Sequence, residues 1–146
     1  MSLFGSLGVS ASGMAAQKAR AEALVENLAN AETTRTPEGG PYRRKDVLFS
    51  PDPDLGSFSS EFELASGAGM TGVKVSGMVI DGRDPERRYM PGHPDADKDG
   101  YVAFPRINPA QDMVDLMGVS RGYEANVSAI SAVKDMIQRS IDLLRT

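Results

Sequence analysis

Apolar residues recur at both ends of the chain with the spacing of a helix packed against a partner. From the N-terminus, Leu3, Leu7, Ser10, Met14, Gln17, Ala21, Leu24, Leu28 and Ala31 alternate steps of four and three, a stripe with two polar interruptions. The C-terminal stripe is stronger: Met113, Leu116, Ser120, Tyr123, Val127, Ile130, Lys134, Ile137, Ile141 and Leu144 keep the same alternation, with only Ser120 and Lys134 polar. That pattern predicts one helix of about thirty-five residues. Its start is specified chemically. Asn108 can cap the free amides, Pro109 suits the first helical position, Gln111 stands where a capping box would close, and Asp112 favours that end of the dipole.

Each helix carries a second stripe of small residues: Gly5, Gly8, Ser12, Ala16, Ala19 and Ala23 in the first, Gly118, Gly122, Ala125, Ala129 and Ala132 in the second. Glycine inside a helix costs roughly 0.5 to 1 kcal/mol relative to alanine, so these positions suggest close packing rather than helix propensity. One stripe against one partner does not offset the backbone entropy of ordering so long a helix. Several neighbours are therefore expected for each helix, with partial disorder in an isolated subunit.

Between the helices the pattern changes. All nine prolines fall from Pro37 to Pro109, and this stretch also holds ten of the fifteen glycines. Tyr42 to Phe49 and Val73 to Ile80 read as strands, with Val73, Val75 and Val79 on one face and Gly77 interrupting it; Arg87 to Met90 and Tyr101 to Phe104 are weaker candidates. Ser50 to Ser60 and Ala65 to Gly72 read as surface loops. The expected fold is α+β: long N- and C-terminal helices, packed as a coiled-coil-like pair, bracket a small β-rich insert. The divisions are residues 1–36, 37–109 and 110–146.

A net charge of −4 with interspersed signs offers no basic face to nucleic acid. No stretch approaches the ~18 apolar residues of a membrane span, so direct membrane insertion is not expected, and the N-terminus lacks the pattern of a cleaved signal. The absence of cysteine excludes disulfides and thiolate chemistry and leaves the compartment open.

Few residues suggest chemistry. Asp95, Asp97, Asp99 and Gly100 match the first half of a calcium loop, but Arg106 stands where a bidentate glutamate belongs, and an acidic turn is the better reading. His93, between Pro91-Gly92 and Pro94, lacks a nucleophile or orienting group and reads as a turn residue rather than an acid or base. Arg43, Arg44 and Lys45 read first as solvated strand charge, the alternative being a salt bridge to an acidic patch such as Asp95, Asp97 and Asp99 on the same or a neighbouring subunit. Asn27 and Asn30 close the first helix; one serves as a local cap, and the other either bonds across to another helix or faces solvent. No catalytic residue, cofactor or metal is expected, and the chain reads as a non-enzyme.

Four stretches carry a family resemblance. They are Asn27 to Thr34; Gly40-Pro41-Tyr42-Arg43-Arg44-Lys45; Pro91 to Asp97 running on to Gly100-Tyr101-Val102; and Ser120-Arg121-Gly122-Tyr123-Glu124-Ala125-Asn126-Val127. In this order and in so short a chain they resemble the rod and hook axial proteins of the bacterial flagellum, and among these the proximal rod subunits. The resemblance spans almost the whole chain except about residues 50–70. It implies a structural subunit of a helical tube that crosses the periplasm, transmits torque from motor to hook and lets later export substrates pass. The paired helices would line the tube and the insert would lie outside.

The implied partners are copies of the chain itself and the other proximal and distal rod proteins, down to the base of the rod near the export apparatus. Export would use the flagellar type III apparatus without a cleaved leader. The assembly interface is then expected at Leu7, Met14, Leu24, Asn27, Leu28 and Asn30 in the first helix, and at Met113, Leu116, Tyr123, Asn126, Val127, Ile130, Ile137, Ile141 and Leu144 in the second. Gly122 stands where the family is expected to carry alanine. Two other readings of the same residues are a soluble coiled-coil adaptor, its ends paired in a dimer, and a calcium-binding module built on Asp95, Asp97 and Asp99.

Overall fold

Two antiparallel helices pack together, and the first also carries a two-stranded sheet, while a second small sheet stands apart from it. The computed structural model describes residues 3–52 and 71–144. In chain order these form α1 (Leu3–Ala29), β1 (Lys45–Asp52), β2 (Gly72–Ile80), β3 (Glu86–Tyr89), β4 (Tyr101–Phe104) and α2 (Pro109–Leu144), the α+β arrangement expected from the sequence. The loops expected at 53–60 and 65–70 lie outside the described residues. Ser50 to Asp52, also read as loop, instead extend β1, and Gly72 opens β2.

The helix ends follow local chemistry. Asn108 Oδ1 accepts the amides of Ala110 at 3.1 Å and Gln111 at 3.4 Å, with Pro109 as the first helical residue. The capping box does not close, because the Gln111 side chain reaches forward to Asp115 at 3.5 Å. α1 stops at Ala29, earlier than residue 36. The Asn30 side chain takes the Glu26 carbonyl at 2.9 Å and accepts the Thr33 hydroxyl at 3.2 Å, and this competes with another helical turn. The chain then reverses through Thr36–Gly40, where Gly39 and Gly40 hold φ of 92° and 76°, values that suit glycine.

β1 and β2 pair antiparallel, with a register shift between Leu48 and Phe49. Ser76 is the extra residue, and its hydroxyl donates to the Leu48 carbonyl at 3.2 Å. This bulge corrects the expected valine face. Val73 and Val75 pair with Pro51 and Phe49, whereas Val79 pairs with Asp46 and so lies on the opposite face. β3 and β4 form a separate hairpin in which Tyr89 opposes Tyr101, their rings edge to face at 5.4 Å.

α1 is the central element. On one side Ser12 Oγ accepts the Val73 amide at 3.1 Å, and Ala23 and Leu24 face β1 across a cavity of about 310 Å³ that Arg20, Val47 and Phe49 also line. On the other side α1 meets α2. Gln17 lies beside Gly122, and Gly13 beside Asn126. Four residues down one helix match four up the other, so the pair is antiparallel. Among the described residues the buried apolar side chains are Ala16, Ala23, Leu24, Tyr42, Val119 and Val133, with Val102 and Phe104 in the hairpin. No helix among the described residues is long and apolar enough to cross a membrane.

Candidate assembly interface

Where the helices meet the sheet, polar side chains form the joint. Asn27 is fully buried; its Nδ2 donates to the Lys45 carbonyl at 2.8 Å, and its Oδ1 accepts the Lys45 amide at 2.9 Å and the Tyr42 hydroxyl at 3.0 Å. The amide therefore bonds to the incoming strand rather than to another helix. Asn30 supplies the local cap. Burial of Tyr42, and secondarily the charge of Glu26, push the phenol up to about 12. Lys45 Nζ reaches Glu26 at 2.5 Å and lies 5.6 Å from the centroid of the Tyr42 ring.

Arg44 forms the second tie. Its guanidinium bonds Asp112 at 2.5 Å and Asp46 at 3.2 Å, with the Asp112 side chain only 1% exposed. Burial alone would lower the Arg44 pKa, but the hydrogen bond and charge of Asp112 outweigh it and raise the value. Within the chain the basic cluster is neither wholly solvated nor paired with Asp95, Asp97 and Asp99. Arg44 takes Asp112, Lys45 takes Glu26, and Arg43 reaches the Asp81 carbonyl at 3.5 Å.

The expected interface residues divide into two sets. Leu24, Asn27 and Asn126 are engaged inside the chain, and Leu7, Met14, Leu28, Asn30, Leu116, Ile130 and Ile137 are half-buried. Met113, Tyr123, Val127, Ile141 and Leu144 are exposed at 53, 42, 43, 46 and 87%. The side of α2 that meets α1 is instead a line one residue earlier: Asp112, Val119, Asn126 and Val133, the least exposed of which are Asp112, Val119 and Val133. This line repeats every seven residues, but two of its four members are polar, so an apolar period does not single it out.

The part of the apolar stripe formed by Met113, Tyr123, Val127, Ile141 and Leu144 thus remains on the surface, beside a groove of about 370 Å³ between the helices. Gln17, Lys18 and Ala21 line one wall, and Leu116, Val119, Ser120 and Tyr123 the other. The small-residue stripe of α2 is not a packing face within the chain, since Gly118 has open space around it and Ala125, Ala129 and Ala132 are exposed. Only Gly122 abuts α1, where an added Cβ would lie 3.1 Å from Gln17 Nε2.

The remaining candidates are occupied by structure. His93 Nδ1 accepts the Asp95 amide at 3.1 Å, and its ring stands edge-on to Phe104. The Asp95 carboxylate takes the Thr34 hydroxyl at 2.8 Å and Arg35 at 3.2 Å, pinning this loop to the segment that follows α1. Asp97 Oδ1 accepts the amides of Asp99 and Tyr101, closing the turn on its own backbone. Among the described residues no three acidic or imidazole groups converge on a point where a metal could sit.

The long helix pair around a small β insert defines an α+β protein, and similarity to known proteins narrows the class. Residues 98–143, which include all of β4 and nearly all of α2, match the family model described as flagellar basal body rod FlgEFG protein C-terminal. Relatives align over nearly the full length. The flagellar basal-body rod protein FlgC of Bacillus subtilis is 41% identical over 148 residues, covering 98% of this chain and 99% of its own. The FlgC proteins of Borreliella burgdorferi and Salmonella typhimurium are 38% and 37% identical, covering 99% and 98% of both chains. The chain belongs to the FlgC family of flagellar basal-body rod proteins.

Proposed function

We propose that this chain is a structural, non-enzymatic subunit of the bacterial flagellar basal-body rod, assembling through its terminal helices into a tube. The full-length relationship to FlgC proteins carries the reading. The geometry adds the means. A helix whose inner line is spent on α1 still offers Met113, Tyr123, Val127, Ile141 and Leu144 to neighbours, and removing that apolar area from water favours association. Contacts spread along such a helix share shear among many side chains, which suits a shaft that transmits torque while its lumen passes export substrates. The neighbours would be further copies and the other proximal and distal rod proteins. The location would be the periplasmic section of the flagellum, reached through the flagellar export apparatus.

The test is Val127→Asp and Met113→Asp, chosen because both positions are exposed and the subunit should fold. In a strain lacking the parent protein, either variant is expected to keep the circular dichroism of the purified chain and to abolish swimming. Normal motility with either would refute assembly through this face.

A further inference from the structure

α2 presents two neighbouring lines, one residue and so about 100° apart around the helix, and either could face α1. The inward line carries Asp112, Gly122 and Asn126 where the outward one carries Met113, Tyr123 and Val127; in return it buries Val119 and Val133 in place of Ser120 and Lys134. Apolarity alone would favour the outward line, so another interaction must select the inward one. Asp112 bears on the choice in two ways. It lies in the first turn of a helix, where a carboxylate is already well placed in water, yet it is 1% exposed. Its second oxygen, Oδ2, is buried with no hydrogen-bond partner among the described residues. A buried ion pair with an orphaned acceptor is a poor source of stability, and the best-attested use of such a pair is to select one packing over another.

Arg44 is suited to act as the fixed end. Its backbone carbonyl accepts the Asp81 amide at 2.8 Å, and the next residue, Lys45, is bonded through both its amide and its carbonyl to Asn27. The guanidinium thus projects from backbone anchored both to the end of α1 and to the turn after β2.

We infer that Arg44 and Asp112 are positioning residues that set the rotation of α2 about its own axis, holding Met113, Tyr123 and Val127 outward and preventing the chain from burying its own assembly stripe. The role of that stripe rests on the function proposed above; the rotation itself does not. Without the pair, α2 is free to turn its larger apolar side chains onto α1, and the subunit becomes self-satisfied.

The parent chain has no cysteine, so single cysteines report the rotation by their rate of maleimide labelling. In the dispersed full-length chain, Val127→Cys is expected to label at least about tenfold faster than Val119→Cys, the ratio reflecting local opening at a buried site. In the Arg44→Met/Asp112→Leu background the ratio is expected to fall to about one or below, with helicity retained, because apolar replacement of both partners seldom unfolds a protein. Exchanging the charges, Arg44→Asp with Asp112→Arg, is expected to restore much of it. A ratio near one in the parent, or an unchanged ratio in the apolar double variant, would overturn the inference. Should that variant fail to fold, Asp112→Asn, which keeps the shape and removes the charge, is expected to lower the ratio about threefold through easier opening, and no change there also overturns it. A chain that labels as expected but does not assemble would refute the rod reading while leaving the rotational lock in place.

Discussion

Asn27 and Lys45 are joined twice: the buried amide donates to the Lys45 carbonyl at 2.8 Å and accepts the Lys45 amide at 2.9 Å. A side chain near the end of α1 thereby imitates a neighbouring strand, and it fixes the angle at which β1 leaves the helix pair. Asn27→Ala would leave both backbone groups and the Tyr42 hydroxyl without their partner. A loss of about 2 to 4 kcal/mol is expected in urea unfolding of the full chain. A loss below about 1 kcal/mol would mean that water replaces the amide.

Tyr42 makes stability depend on alkaline pH. Its pKa stands at about 12 when folded, against an ordinary value of 10.0, so the folded state holds this proton more tightly than the unfolded one. The associated stability is fully present below pH 10 and is lost as pH rises through about 12. Urea midpoints measured across that window should fall more steeply for the parent chain than for Tyr42→Phe. Parallel slopes would show that the phenol is not held in its neutral form.

Asp81 does the opposite at acid pH. Bonds from the Arg83 side chain and amide draw its pKa down to about 2, from an ordinary value of 3.8. Its contribution is therefore present above the ordinary value and disappears as pH falls toward 2. In Arg83→Ala, a carboxyl titration followed by nuclear magnetic resonance should return Asp81 toward the ordinary range. An unshifted titration would assign the effect to some other group.

Glycines 118 and 13 should respond in opposite ways to alanine. Gly118 has nothing within 4 Å of its would-be Cβ, so Gly118→Ala is expected to stabilise α2 by up to about 1 kcal/mol. Gly13→Ala places a methyl 3.1 Å from the Asn126 amide, which is tied to the Gly122 carbonyl at 2.9 Å and cannot easily give way. That variant should lower the thermal midpoint despite the gain in helix propensity. Equal gains at both sites would refute close packing at the Gly13 crossing.

Gly122→Ala falls between these cases. Its Cβ would meet the far end of Gln17, a flexible side chain free to shift by a few tenths of an ångström. A modest gain, smaller than at Gly118, is expected in the same thermal measurement. A clear loss would show that the Gln17 amide is held in place.

The two helices were legible in the sequence because their signals are local: an apolar period sustained over many turns, a cap at Asn108, and prolines confined between them. The strands were legible for the same reason, to within a few residues. β4 was found at its observed bounds, while β1 runs three residues later than expected because Tyr42 turns inward to Asn27 before pairing begins. What the sequence could not determine was which side of α2 faces α1. Two lines one residue apart both keep a seven-residue repeat, and the choice falls to Arg44, sixty-eight residues from Asp112, and to the fits of Gly122 on Gln17 and Gly13 on Asn126. The split of the three valines by Ser76 was hidden likewise, since a bulge is set by cross-strand register. Periodicity fixes what a segment can become; which face it spends inside the molecule and which it keeps for a neighbour depends on pairings between distant residues, and only the tertiary structure decided those.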